Sequence, residues 1–120
     1  MRKVLVLALA LAGLAGGARA DDEAMREASR KDIRCVLAMT VIMRDEAARS
    51  SAAVGLYYFA GRIEVRDPAL DLTSAMKREA SRMQNSEWRG EMQRCGAELQ
   101  AKTKSFDDLK VAFGKRRVGR

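Results

Sequence analysis

Cys35 and Cys95 are the only cysteines in this 120-residue chain, and their separation constrains the fold more than any other feature. A bond between them closes a loop of about 60 residues, which in the chain-entropy model stabilises the folded state by roughly 4 kcal/mol. The spacing is far too wide for a Cys-x-x-Cys redox motif. We therefore predict a structural disulfide, provided that the chain reaches an oxidising compartment.

The first 20 residues predict that the chain does reach one. Arg2 and Lys3 precede an apolar run over 4–12, and Ala18-Arg19-Ala20 supplies a small-x-small cleavage pattern. These are the parts of a secretory signal peptide. A membrane anchor is the alternative, but it needs about 20 apolar residues. We expect cleavage after residue 20 and a periplasmic or secreted mature chain, which carries 20 basic and 16 acidic residues and a formal net charge of +4.

The composition after residue 20 favours helices throughout. Alanine, methionine, arginine and glutamate are plentiful, and Pro68 is the only proline. Apolar residues with the period of two that marks a strand are absent. We predict an all-α fold, a small four-helix bundle over residues 21–114 in which the disulfide joins the first and fourth helices. Residues 115–120 are expected to form a disordered basic tail.

Caps and breaks set the expected helix boundaries. The four expected segments cover residues 22–49, 50–66, 67–84 and 85–114. Asp67 is the expected N-cap of the third helix, with Pro68 at its first position. Gly114 is the expected stop of the fourth, although a break near Ser105 stays open as an alternative.

Apolar periodicity predicts which faces are buried. Residues 35–43 form the most apolar stretch of the mature chain, so the first helix should be buried over most of its circumference. Small residues around Gly55 should let a neighbouring helix approach. In the fourth helix a 4-3 alternation predicts a seam packed along the whole bundle. Its members are Trp88, Met92, Cys95, Leu99, Lys102, Phe106, Leu109 and Phe113.

Two groups of side chains are candidates for contacts with a partner. The first is basic and suits an anionic surface; it comprises Arg26, Arg30, Lys31 and Arg34 on the first helix, and Lys115, Arg116, Arg117 and Arg120 in the tail. The second is the adjacent pair Tyr57 and Tyr58. Since neighbouring residues of a helix point about 100° apart, both tyrosines cannot be fully buried.

The chain offers little for catalysis. It has no histidine, the commonest general acid–base group and metal ligand. Ser74 and Lys77 match the Ser-x-x-Lys motif that resembles the nucleophile of penicillin-binding proteins and β-lactamases, but the companion motifs are missing. Glu87 and Glu91 are best interpreted as a solvated helix face, with Arg94 beside Glu91 as an ordinary ion pair. We predict no catalytic residue, no metal site and no cofactor.

Three features together resemble small uncharacterised exported helical proteins of Gram-negative bacteria. They are Cys35 with its apolar run, the segment 55–62 (GLYYFAGR), and Arg94-Cys95-Gly96. This resemblance implies export and one disulfide, but no activity. In size, helicity and one wide disulfide the chain is also similar to periplasmic acid-stress chaperones, in architecture alone.

The expected function is therefore non-enzymatic. A protein partner bound through an apolar helical surface is the first hypothesis, with a chaperone-like role under stress. The alternative is a peripheral binder of anionic membrane lipid that uses the basic stripe and the tail. Nucleic acid is a poor partner for an exported chain, and the mature sequence has no transmembrane segment.

Overall fold

The computed structural model describes the backbone of residues 12–117 and the side chains of residues 19–114. It contains four helices: α1 Ala12–Ile42, α2 Arg49–Arg66, α3 Leu72–Arg82 and α4 Asn85–Arg117. Within residues 12–117 no strand is present, so the all-α prediction is confirmed. Residues 1–11, which hold most of the predicted signal peptide, lie outside the described range.

Helix α1 is the central element, because α2, α3 and α4 all pack against it. Every residue from Cys35 to Met39 is buried, as its apolar run predicts. Phe59 of α2 is fully buried against it, which stabilises the fold by about 2–3 kcal/mol. The core consists of Ile33, Cys35, Val36, Leu37, Ala38, Met39, Ala52, Phe59, Ile63, Ala75, Met83 and Cys95.

Gly55 marks the closest approach of α2 to its neighbours. A Cβ atom at this position would lie 2.7 Å from Met39 Sδ and 2.8 Å from Leu99 Cδ2. Glycine therefore lets side chains of α1 and α4 reach the backbone of α2. The expectation of close approach at small residues holds here but not at Gly61, where a Cβ would meet nothing within 4 Å.

Two of the expected boundaries between α1 and α3 are wrong. Helix α1 ends at Ile42 rather than near Arg49, and a series of turns leads to α2. Asp67 is the C-cap of α2 and does not cap α3. The Leu70 N–H donates to the Asp67 carbonyl at 3.1 Å, so Pro68 sits inside a turn, where its fixed φ is equally suitable.

The true N-cap of α3 is Asp71. Its carboxylate accepts hydrogen bonds from the Ser74 N–H at 3.1 Å and from the Ser74 hydroxyl at 2.6 Å. These hydrogen bonds lower the pKa of Asp71 below its usual value. The Ser74 hydroxyl of the Ser-x-x-Lys motif is therefore engaged in capping.

Helix α4 is continuous through Ser105 and does not stop at Gly114. A glycine usually ends a helix by adopting a positive φ, and none of the glycines in the described range does so. Residues 101–114, here called the α4 overhang, are all exposed. The predicted seam is thus packed only as far as Leu99. Residues 118–120 of the expected tail lie outside the described range.

The two cysteines come together at the middle of the molecule. The sulfur atoms of Cys35 in α1 and Cys95 in α4 lie 2.04 Å apart, the distance of a disulfide bond. Both residues are fully buried.

Candidate functional site

The basic stripe predicted on α1 is partly neutralised by carboxylates from other helices. Arg30 Nε donates to Glu79 Oε1 at 3.1 Å, and Arg34 Nε donates to the same oxygen at 2.7 Å. Arg34 Nη1 also donates to Glu91 Oε1 at 3.1 Å. Among the side chains that the structure describes, Arg26 and Lys31 form no ion pair. Half of the stripe therefore serves the fold.

These pairs belong to a larger assembly, the arginine–carboxylate network, which joins all four helices. Among the described side chains it has twelve members paired within 4.0 Å: Glu27, Arg30, Asp32 and Arg34 of α1, Arg62 and Arg66 of α2, Glu79 and Arg82 of α3, and Glu87, Glu91, Arg94 and Glu98 of α4. No buried side-chain nitrogen or oxygen in the described part of the chain lacks a hydrogen-bond partner. The network therefore meets the requirement that buried charges be paired.

Asp32 is the most deeply buried charged group, at 1% exposure. Its Oδ1 lies 3.2 Å from Arg62 Nη2, and its Oδ2 accepts a hydrogen bond from Arg66. Arg62 also donates to Glu98 and to the Tyr58 hydroxyl. Through Arg62, then, one carboxylate of α1 is linked to both α2 and α4.

Glu79 plays the same role between α1 and α3. Burial opposes its ionisation, but the hydrogen bonds from Arg34 and Arg30 outweigh this, so the pKa of Glu79 lies below its usual value. The same contact with Glu79 raises the pKa of Arg34 against the effect of its own partial burial. Both groups are thus charged at neutral pH, and the pair is structural.

Glu91 and Glu87, considered above as a carboxylate pair, both approach Arg34. Arg34 Nη1 lies 3.1 Å from Glu91 Oε1 and 3.7 Å from Glu87 Oε1. Glu91 also forms the expected ion pair with Arg94, at 2.7 Å. Glu87 Oε2 accepts a hydrogen bond from the Gln84 N–H at 2.7 Å at the start of α4. Arg34 therefore lies between both carboxylates, which favours a structural role for them.

Arg94 covers the disulfide. Its Nη2 donates to the Lys31 carbonyl at 3.0 Å and lies 3.3 Å from Cys35 Sγ. Glu91 accepts a hydrogen bond from the same guanidinium. The side chain that covers Cys35 Sγ is therefore held in place.

The two tyrosines differ in their surroundings. Tyr57 is 75% exposed on α2. Tyr58 is half-buried, meets Phe59 edge to face at 5.0 Å between ring centroids, and accepts a hydrogen bond from Arg62. Only Tyr57 is therefore free to contact a partner.

The α4 overhang exposes a row of apolar side chains. Phe106, Leu109 and Phe113 are 59%, 48% and 65% exposed. With spacings of three and four they lie on one face of the helix. Two of the three lysines beside them are paired, Lys104 with Asp108 at 3.1 Å and Lys110 with Asp107 at 3.6 Å. The overhang is thus an amphipathic helix whose charges are largely balanced.

A second apolar feature adjoins the base of the overhang. A groove of about 550 Å³ runs between the end of α1, the start of α2 and α4. Met39, Ile42 and Leu99 line it, and Thr103 and Lys104 continue the lining onto the overhang. On the overhang the lining is polar, with Asp107 beside these two residues, so the apolar part of the groove ends at Leu99.

No protein-family model, no curated protein and no solved structure matches this chain. Its function is therefore inferred from geometry and charge.

Over the described residues, no helix has an apolar stretch long enough to cross a bilayer. The same residues contain no cluster of three or more Cys, Asp or Glu side chains placed to hold a metal ion.

The sequence did not reveal the two buried acids. A signal for Asp32 exists, since it lies three and four residues before Cys35 and Val36 and so shares their buried stripe. Glu79 likewise falls midway between buried Ala75 and Met83. The exposed role of Phe106, Leu109 and Phe113 was also missed, because their pattern is that of a packed seam.

Proposed function

We propose that this chain is a non-enzymatic exported protein that binds apolar segments of other proteins through the α4 overhang, in a chaperone-like manner. The observation that carries the proposal is the exposure of Phe106, Leu109 and Phe113 on one face of a helix that leaves the bundle. Soluble monomers seldom expose a contiguous apolar patch of this kind without using it.

The geometry fits a known way of recognising proteins. An amphipathic helix placed in an apolar groove uses anchors at i, i+3 and i+7, which is the spacing of Phe106, Leu109 and Phe113. The groove at the base of the overhang adds apolar area on the bundle, where Met39, Ile42 and Leu99 line it.

The rest of the molecule is suited to be a rigid support for that helix. The network ties the four helices together, and we propose that the Cys35–Cys95 bond pins α1 to α4 directly below the overhang. Because the buried carboxylates are neutralised by arginines, they favour a structural role over acid–base chemistry. The signal-like N-terminus supports export.

Light scattering of a heat-aggregating enzyme tests the proposal. The oxidised chain 21–120 is added in equimolar amount at pH 7 and at pH 3. We expect it to suppress scattering at least twofold at one of these pH values, and the triple variant F106S/L109S/F113S to lose the effect. The control V54S/V65S replaces two exposed apolar residues of α2 and should protect like the parent.

Two results would contradict the proposal. One is an absence of protection by the parent chain at both pH values. The other is equal protection by the parent and the triple variant at F106S/L109S/F113S, since the overhang would then not be the binding surface.

An anionic membrane surface is the second candidate, and the amphipathic overhang followed by a basic last turn favours it. Lys115, Arg116 and Arg117 occupy the last turn of the same helix. In this proposal the lipid contacts lie on α4. They do not lie on the basic stripe of α1, because Arg30 and Arg34 of that stripe are already paired with Glu79. Binding to anionic vesicles, absent on zwitterionic ones and lost at 0.5 M salt or on deletion of 115–120, would replace the first candidate.

A further inference from the structure

A second candidate site lies between α1 and α3. A cleft of about 590 Å³ separates the exposed half of α1 from α3 and the turn that precedes it. Ile33, Leu70 and Ala75 supply apolar lining, and Met25 forms part of the α1 wall with nearly half of its surface exposed. This volume lies within the range of about 300–1,000 Å³ that is typical of small-molecule sites.

Arginines surround this apolar lining. Five of them line the cleft: Arg26, Arg30, Arg66, Arg78 and Arg82. Three carboxylates, Asp22, Asp67 and Glu79, line it with them, so the lining has an excess of positive charge. The imbalance favours an anion over a neutral or cationic occupant.

Hydrogen bonds to other side chains of α1 and α3 hold two of these arginines in place. Arg30 is bonded through Nε to buried Glu79, and Arg66 is bonded to buried Asp32 and, at 3.3 Å, to the Ser29 hydroxyl. A guanidinium has five N–H donors in a fixed fork, so each retains donors after these bonds are made. They are therefore pre-organised to bind a carboxylate or a phosphate.

Two others bring charge that the protein does not neutralise. Arg26 and Arg78 stand on α1 and α3, on either side of the cleft, and form no ion pair with any side chain that the structure describes. Since they are exposed and unpaired, they can bind a ligand without breaking an ion pair that stabilises the fold.

We infer that this cleft binds an anion with an apolar chain, whose head contacts the arginines while its tail lies on Met25, Ile33 and Leu70. A fatty carboxylate and a single-chain phosphate ester share this chemistry.

Titration calorimetry of the oxidised chain 21–120 tests the inference with sodium laurate, dodecyl phosphate and neutral dodecyl maltoside, each below its micellar concentration. We expect one molecule bound per chain for at least one anion, with at least tenfold weaker binding of the maltoside. Tighter binding of laurate identifies a carboxylate site, and tighter binding of dodecyl phosphate a phosphate site. Equal binding of the maltoside, or no binding at all, overturns the inference.

Variants locate the binding. R26Q/R78Q should weaken binding of the preferred anion at least tenfold, whereas the control K77Q/R89Q removes two exposed charges outside the cleft and should bind like the parent. Unchanged binding by R26Q/R78Q overturns the cleft as the site.

The overhang variant F106S/L109S/F113S separates this inference from the proposed function. It should keep its affinity for the anion and lose client protection. R26Q/R78Q should keep client protection and lose affinity for the anion. If the overhang variant loses the anion instead, the chain binds at α4 and the cleft is not the site.

Discussion

Asp32 illustrates how much a single residue can contribute at the centre of a small bundle. It occupies a position on the apolar stripe of α1, and its two oxygens face different arginines of α2. Removing its charge leaves Arg62 and Arg66 without their shared partner, and both are partly withdrawn from water.

We therefore expect Asp32→Asn to lower the free energy of unfolding by about 3 kcal/mol, since breaking a buried ion pair leaves an uncompensated charge. Urea unfolding of the oxidised chain at pH 7 measures this. Glu27→Gln is the matched control, because Glu27 is exposed and 3.8 Å from Arg30, and it should change stability by less than about 0.5 kcal/mol. A loss below 1 kcal/mol for Asp32→Asn would contradict the expectation.

Sequence reasoning at this scale succeeded for residues whose environment is set by their own helix. Cys35, Phe59 and Ile63 follow apolar stripes and are buried as predicted. It failed for Asp32 and Glu79, because a charged side chain is buried only when a counter-charge arrives from another helix. Periodicity within one segment carries no information about that counter-charge.

Among the elements, α4 departs furthest from expectation. Its 4-3 alternation of apolar residues continues well beyond Leu99. The neighbouring helices do not extend far enough to cover it. An apolar stripe specifies the face of a helix and not the length of its neighbours, so a packed seam and an exposed docking face look alike in sequence.

Ending the chain at Ala101 tests whether the overhang serves the fold. Since residues 101–114 are exposed, we expect the free energy of unfolding to change by less than about 1 kcal/mol, in line with other surface changes. Urea unfolding of chains 21–101 and 21–120 provides the comparison, and deletion of 115–120 alone is the control. A loss above 2 kcal/mol would place the overhang in the folded core.

Two helix starts lie close to their expected positions, although α2 has no side-chain cap. Helix α2 begins one residue before the expected Ser50, and α4 begins at Asn85 as expected. Two aspartates, Asp67 and Asp71, precede α3. Asp71 is the N-cap because its carboxylate accepts a hydrogen bond from the N–H of Ser74, three residues later.

At the scale of the whole molecule, the network makes stability depend on acid. The carboxylate of Glu79 faces Arg30 and Arg34 from α1 and Arg82 from its own helix. Its folded pKa is lowered, so its contribution is complete above the unfolded pKa of about 4.3 and is lost as the pH falls through the folded value.

We therefore expect the free energy of unfolding to fall between about pH 5 and pH 2, and to fall less steeply in Glu79→Gln. Urea titrations at half-unit pH intervals measure both slopes. Glu64→Gln, at an exposed position of α2, is the control and should retain the parent slope. If Glu79→Gln also retains the parent slope, the network is not the source of acid sensitivity.

The class of fold followed from composition, and the pairing of the cysteines from their number. The central place of α1 agrees with its predicted burial over most of the circumference. The ion pairs between α1 and the other helices did not follow from either feature, since they join residues far apart in the chain.

The covered disulfide has a consequence for the order of events in assembly. Thiol–disulfide exchange needs a thiolate to reach a sulfur atom, and here both sulfurs are fully buried with Arg94 above Cys35. An oxidoreductase can therefore act only while α4 stands away from α1. Oxidation has to precede the final closure of the helices, and once Arg94 has engaged Glu91 and the Lys31 carbonyl, the bond is hidden from the catalysts that made it.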